Sequence, residues 1–255
     1  MLTYDDAGSG PAVLLVHGHP FDRSMWRPQL ALLPELGFRA IAPDLRGYGE
    51  SPVTPGTVPF ATHIADLVEL LDALDVPSVV LCGLSMGGQL VMEFHRLHPD
   101  RVRGMVLADT TPHPETPESR RNRIAMADQL DREGMRGYAD DVIWKMVSPN
   151  NPEVGAVVLP MMAAAPAAGA AAAQRGRADR PDYLPSLRAA KVPGLVVVGA
   201  EDEFTPVPIA RETADALPNG HLVVVDGAAH MPNLERPEVF NAALTDFLNG
   251  LPAAQ

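Results

Sequence analysis

Ser78-Val79-Val80-Leu81-Cys82-Gly83-Leu84-Ser85-Met86-Gly87 runs from a short β-branched segment straight into a stretch with helical spacing. Its first five residues predict a strand buried on both faces, as inside a parallel sheet. From Gly88 to Leu97, the side chains of Leu90, Val91, Phe94 and Leu97 fall on one face of a helix. A strand that meets a helix this abruptly needs a sharp turn, and Gly83 and Gly87 leave room where a Cβ would clash. Ser85 then stands at the tip with its hydroxyl exposed, the geometry of a nucleophile elbow. The G-x-S-x-G pattern alone is short. Its place between strand and helix gives it weight.

A serine hydroxyl is a poor nucleophile until a base takes its proton, so the elbow calls for a histidine elsewhere. The chain order on such a scaffold is serine, acid, histidine. Val223-Val224-Val225 predicts a strand, and the small-residue loop after it, Asp226-Gly227-Ala228-Ala229-His230-Met231-Pro232, carries one histidine. Upstream, Leu195-Val196-Val197-Val198 predicts another strand, followed by Gly199-Ala200-Glu201-Asp202-Glu203-Phe204-Thr205-Pro206. Loops at the carboxyl ends of parallel strands are where open α/β sheets place their sites. Three such loops supply Ser85, Asp202 and His230 in the required order. Glu201 and Glu203 flank Asp202, and Asp109 ends another predicted strand, so the residues alone leave the acid open.

Acyl transfer also needs donors for a developing oxyanion. Val13-Leu14-Leu15-Val16 leads into His17-Gly18-His19-Pro20. With Asp44-Leu45-Arg46-Gly47-Tyr48-Gly49-Glu50-Ser51, the elbow, the acid loop and the His230 loop, the chain resembles α/β-hydrolases of the esterase, lactonase and cofactor-free perhydrolase type. The likeness covers roughly residues 3–110 and 190–250, and the N-terminal half is similar to enol-lactone hydrolases. The resemblance implies an oxyanion hole formed by the backbone N–H groups of His19 and Met86. Losing one such donor typically lowers the rate by about 10²–10³. Aligning Gly199 and Pro206 with the family favours Asp202 as the acid, with Asp109 as the alternative. It further implies a small ester or lactone substrate, and neither metal nor organic cofactor. Carbon–carbon bond hydrolases and perhydrolases share this machinery, and a few proteins of this fold are ligand-binding receptors. Haloalkane dehalogenases and epoxide hydrolases also resemble the chain, but their chemistry needs an aspartate at position 85. Two backbone features are expected: an unusual conformation at Ser85, and a cis His19–Pro20 bond, which X-Pro alone tolerates cheaply.

The expected fold class is α/β, a mostly parallel doubly wound sheet with an inserted helical cap. Its core would comprise residues 1–112 and 186–255, and the cap residues 113–185. Arg39-Ala40-Ile41-Ala42 and Val102 to Ala108 read as strands. Ile64 to Leu74 reads as a helix with Leu67, Leu70, Leu71 and Leu74 inward, stopped before Pro77. The alanine-rich stretch Ala163 to Ala173, beside Val158, Leu159, Met161 and Met162, reads as a packed cap helix. The family pattern carries one more N-terminal strand, before residue 3, which this sequence does not show.

At 255 residues and 46% hydrophobic content, the chain can bury one large sheet with an insertion. A net charge of −12 argues against nucleic acid and anionic membrane surfaces as partners. The single cysteine, Cys82, allows no internal disulfide and fits a reducing compartment. Met1 to Asp6 has neither the basic nor the apolar region of a signal peptide, and no apolar run is long enough for a bilayer. These features predict a soluble cytoplasmic protein, with a homo-oligomer compatible with the pattern. His95 and His98 have metal-ligand spacing but no further ligands beside them, so they predict a solvated helix face. Arg120, Arg121 and Arg123 predict an exposed charged face in preference to an anchor for an anionic substrate. His17 is expected to be structural, and Asp44 and Arg46 to brace the loop beside the oxyanion hole.

Overall fold

The computed structural model describes residues 1–252. Its β-branched and apolar runs form a seven-stranded sheet in the order β1-β3-β2-β4-β5-β6-β7. The strands are β1 (Tyr4–Ala7), β2 (Ala12–Val16), β3 (Arg39–Pro43), β4 (Val79–Leu84), β5 (Val102–Ala108), β6 (Gly194–Gly199) and β7 (Gly220–Val225). Only β1 is antiparallel, pairing with β3 from Tyr4 opposite Pro43 to Ala7 opposite Ala40. The central strands carry no polar alternation because both faces are covered. Val13, Leu15, Val80 and Cys82 pack on one side, and Leu14, Val16 and Leu81 on the other, all fully buried. Each such side chain contributes about 1.5–3 kcal/mol by leaving water.

The chain order reverses beside β2, which has β3 on one flank and β4 on the other. Adjacent loops leave in opposite directions at such a point, opening a crevice at the carboxyl ends of the strands. His17 to Pro20 and Ser85 therefore sit side by side because of strand order.

The covering helices are α1 (Arg27–Glu35), α2 (Phe60–Ala73) and α3 (Met86–Leu97). Helix α2 starts four residues before the expected Ile64, because Phe60 and His63 extend its buried stripe back to Pro59. Between β5 and β6 lie α4 (Pro117–Glu133), α5 (Arg136–Met146), α6 (Pro152–Ala164), α7 (Ala167–Arg177) and the short α8 (Leu184–Arg188). Helices α9 (Val207–Ala216), α10 (Pro232–Glu235) and α11 (Pro237–Asn249) complete the chain. No single helix among the described residues is long and apolar enough to cross a membrane.

Helices α4 to α7 form two packed pairs, α4 with α7 and α5 with α6. The alanine-rich stretch is two helices rather than one. Pro166 has no N–H to donate and disfavours helical geometry at Ala165, so α6 and α7 meet at 91°. The small side chains of α7 let it lie directly on the core: a Cβ on Gly169 would overlap the Gly47 carbonyl oxygen, and one on Gly176 would overlap that of Val58. The backbones themselves are in contact here. Val58 N–H donates to the Ala172 carbonyl at 3.0 Å.

Candidate active site

Ser85 lies between β4 and α3 with φ +57° and ψ −116°, a left-handed conformation that costs a non-glycine residue about 1–3 kcal/mol. The surroundings enforce it. A Cβ on Gly83 would overlap the backbone of Gly87, and one on Gly87 would overlap the Val16 carbonyl oxygen. The Ser85 N–H donates to the Ala108 carbonyl at 2.8 Å, and its own carbonyl accepts from Thr110 Oγ1 at 2.7 Å. The serine is thus pinned through its backbone while its side chain opens onto a cavity of about 310 Å³. Met86 is the first residue of α3, where an N–H has no intrahelical acceptor. The His19 N–H likewise has no backbone acceptor among the described residues. The His19–Pro20 bond is cis, as expected from the sequence.

His230 faces the same cavity. Its Nδ1 lies 2.8 Å from Asp202 Oδ2, and Asp202 Oδ1 accepts the Phe204 N–H, also at 2.8 Å. Since Asp202 is an acceptor, the pairing places a proton on Nδ1 and leaves Nε2 without a protein partner among the described residues. Burial alone would raise Asp202, but the charge and hydrogen bond of His230 hold it below the usual carboxylate range. The His230 N–H donates to the Met146 carbonyl at 3.1 Å, tying the loop to the end of α5. The ring of Phe204 stands edge-on against the imidazole, 5.0 Å between centroids. Ser85 Oγ makes no protein hydrogen bond among the described residues; such contacts are often long until substrate is bound.

Asp109 is the third member of this buried group, with donor atoms of Asp109, Asp202 and His230 all within 4.8 Å of one another. The three could each offer a ligand to a cation, but His230 Nδ1 and Asp202 Oδ2 already face each other. Burial, and then the charge of Asp202, push Asp109 well above the usual carboxylate range. Two carboxylates this close do not both ionise, so Asp202 carries the charge and Asp109 the proton. Asp109 Oδ1 accepts the Gly199 N–H at 2.9 Å, linking β5 to the acid loop.

The residues around the crevice brace it. His17 Nδ1 bonds the Gly18 carbonyl at 2.8 Å, and its Nε2 accepts the Leu45 N–H at 2.9 Å. Asp44, fully buried, accepts the N–H groups of Arg23 and Glu50, both at 2.8 Å, and the Arg23 guanidinium. Arg46 pairs instead with Asp66, with Nε at 2.7 Å from its carboxylate. His19 bonds the Tyr48 hydroxyl at 2.9 Å, and burial followed by the nearby Arg177 and Arg123 keep it neutral. Glu235, which the sequence did not single out, accepts the Ala229 N–H at 2.9 Å and the Ser148 N–H at 2.8 Å. The signal for it was an acid in the first turn of a helix immediately after the His230 loop.

Two sequence expectations are corrected here. Arg123 is not on an exposed face: it lines the cavity, bonding Glu115 and Gln174 at 2.6 and 2.7 Å. Arg120 and Arg121 are exposed, the former paired with Asp179 at 2.8 Å. His95 is buried rather than solvated, and burial lowers its pKa. His95 flanks the apolar stripe of α3 and is covered on the side where α8 packs against that helix. The sequence reading also passed over Arg177, Arg180 and Glu115, which line the cavity from above.

The model of the alpha/beta hydrolase family matches residues 13–243, and the chain belongs to that family. Its structure superposes on a thermophilic esterase from Thermogutta terrifontis, solved with malate bound, with a TM-score of 0.94 and 39% identity over 97% of this chain and 93% of that one. It is likewise similar to an enol-lactonase from Burkholderia xenovorans, with a TM-score of 0.88 and 29% identity over 97% and 96% of the two chains. An epoxide hydrolase from Siraitia grosvenorii is 45% identical over 101 residues, which is 39% of this chain and only 32% of that protein's length.

Proposed function

We propose that this alpha/beta hydrolase cleaves a small carboxylic ester or lactone through an acyl-enzyme on Ser85. The observation that carries the reading is the strained Ser85, which opens onto the same cavity as the 2.8 Å His230–Asp202 pair. Ser85 Oγ attacks the carbonyl carbon while His230 Nε2 takes its proton. Asp202 holds the imidazole in the required tautomer and stabilises its cation without accepting the proton. The carbonyl oxygen becomes an oxyanion that the N–H groups of His19 and Met86 receive. When the tetrahedral intermediate collapses, the carbon–oxygen bond to the alcohol breaks and His230 returns the proton to that oxygen. Water, deprotonated by the same base, then attacks the acyl group, and Ser85 leaves as its alcohol. In a lactone both products remain in one molecule.

The esterase and enol-lactonase neighbours support this choice of bond. A serine at position 85, rather than an aspartate, sets the chain apart from the epoxide-opening chemistry of its partial relative. The cavity of about 310 Å³ suits a small acyl group. Hydrolysis of p-nitrophenyl acetate and simple lactones by wild type and Ser85→Ala tests the reading. Turnover that disappears in Ser85→Ala supports it. Undiminished turnover in that variant refutes Ser85 as nucleophile.

A further inference from the structure

Opposite the strand-end loops, the cavity is roofed by three guanidinium groups, those of Arg123, Arg177 and Arg180. Glu115 is the one carboxylate on that side. It takes both Arg123, at 2.6 Å, and Arg180; burial would raise Glu115, but these two cations pull it down to about 2. Arg180 is held further by the His113 carbonyl at 2.9 Å, and Arg123 by Gln174. Arg177 is different. Its Nε donates to Gln89 Oε1 at 2.8 Å, and its two terminal amino groups donate to no protein acceptor among the described residues. It makes no ion pair there either.

The other titratable groups facing the cavity do not balance it. Asp202 is spent on His230, Asp109 holds its proton, and His19 is neutral. The Tyr138 hydroxyl, pushed up to about 12 by burial, is uncharged as well. Three cations therefore face two carboxylates, Glu115, shared by Arg123 and Arg180, and Asp202, turned to His230, which leaves Arg177 without an anion of its own. Arg177 is half-buried, and desolvation, then the charges of Arg123 and Arg180, lower it well below the usual arginine range, so that an anion brought to its open side is favoured. Gln89 fixes the plane of its guanidinium and leaves the two terminal nitrogens as a fork, the geometry that matches a carboxylate. This fork opens on the cavity that also holds Ser85.

We infer that the substrate is an anionic ester or lactone whose free carboxylate is held by Arg177 while its ester carbonyl lies at Ser85. This rests on the serine hydrolase reading and narrows it. The acyl chain between the two groups would lie along Met126, Met146 and Phe204, which supply the apolar part of the lining. Arg123 and Arg180 add to the field that attracts the anion, while Glu115 keeps them in place.

Monomethyl succinate and dimethyl succinate are the matched probes: the same chain, with and without the charge. Wild type is expected to favour the monoester by about 10- to 100-fold in kcat/KM, the range for a hydrogen-bonded charge pair. In Arg177→Met that ratio falls to near one, and in Arg177→Lys it is intermediate, since a point charge replaces the fork. Thermal melting identifies any variant that fails to fold. Equal use of both esters by wild type, or a preference that survives in Arg177→Met, overturns the inference. Calorimetric titration of Ser85→Ala with the two esters reads the carboxylate site without any turnover. Binding of the monoester alone supports the site even if Ser85 is not the nucleophile. Failure to bind it, with ester hydrolysis intact in wild type, overturns the inference and leaves the serine hydrolase reading standing.

Discussion

The floor and the roof of this cavity are assembled by different means. The floor consists of loops leaving the ends of β2, β4, β6 and β7, and apart from the tie from His230 to Met146 its site residues are fixed by contacts a few residues away or on the next strand. Ser85 is locked by the bond from its N–H to Ala108, and Asp202 by Phe204 two positions on. The roof consists of helices held to the floor by small residues, with Gly169 lying on Gly47. Its charges find partners across long stretches of chain, such as Arg123 with Gln174 and Arg177 with Gln89. The floor fits the chemical step, which hardly changes from one ester to the next. The roof fits the choice of substrate. On this division, damage to the floor removes turnover, and damage to the roof changes what is turned over or how firmly the cavity closes.

The most severe break is in the floor. Ser85→Ala should lower kcat by about 10⁶, the loss seen when a nucleophile of this kind is removed, with melting temperature little changed. Steady-state rates on p-nitrophenyl acetate check this. A loss below tenfold would mean that the floor does not supply the nucleophile.

The seam between the two comes next. Gly169→Val inserts a side chain where the Gly47 carbonyl oxygen already sits, so α7 must move off the core. Overpacking of this kind costs about 1–3 kcal/mol, and an ångström-scale displacement near a site can cost about 100-fold in rate. Urea melts together with kcat/KM measure both effects. Loss of stability with unchanged kinetics would show that the roof's position does not matter to turnover.

Within the roof alone, Glu115→Gln should destabilise the protein at pH 7 and leave it nearly unaffected near pH 2. Burial would raise this carboxyl, but Arg123 and Arg180 lower it to about 2 in the folded chain. An unfolded glutamate titrates near 4.3. A depressed folded value contributes stability that is complete above the unfolded value and disappears as pH falls through the folded one. Denaturant midpoints of the variant and wild type should therefore converge between about pH 4.3 and 2. A gap independent of pH would point to shape rather than charge.

The smallest effect is a gain. Gly137 lies near the start of α5 with open space where its Cβ would project. Gly137→Ala should stabilise the fold by about 0.5–1 kcal/mol without altering kinetics, which thermal melts and a parallel rate assay would show.

The same division explains what could be seen in the sequence. The elbow, the acid loop and the His230 loop are each contiguous, and strand propensity plus glycine placement locate them, while the choice of Asp202 over Asp109 comes from the family resemblance. The crevice followed from parallel strands. The roof offered no such pattern. Pro166 breaks α6 from α7 where the sequence reads as one helix, and the contact between α7 and the Gly47 loop depends on backbones far apart in the chain. Arg177 and Arg180 follow the alanine-rich stretch with no pattern to mark them, and Arg123 reads as part of an exposed charged face. Only tertiary packing turns them inward. His95 was misjudged for the same reason, because α8 covers it from a distance in sequence.

The most direct measurement is to mix the protein with p-nitrophenyl acetate, quench at short times at low pH, and locate any acyl adduct by peptide mass spectrometry. The account predicts a single transient acetyl group on Ser85, absent from Ser85→Ala and longer-lived in His230→Ala if any forms there. Ester turnover with an acyl group on another residue, or with turnover preserved in Ser85→Ala, would contradict it.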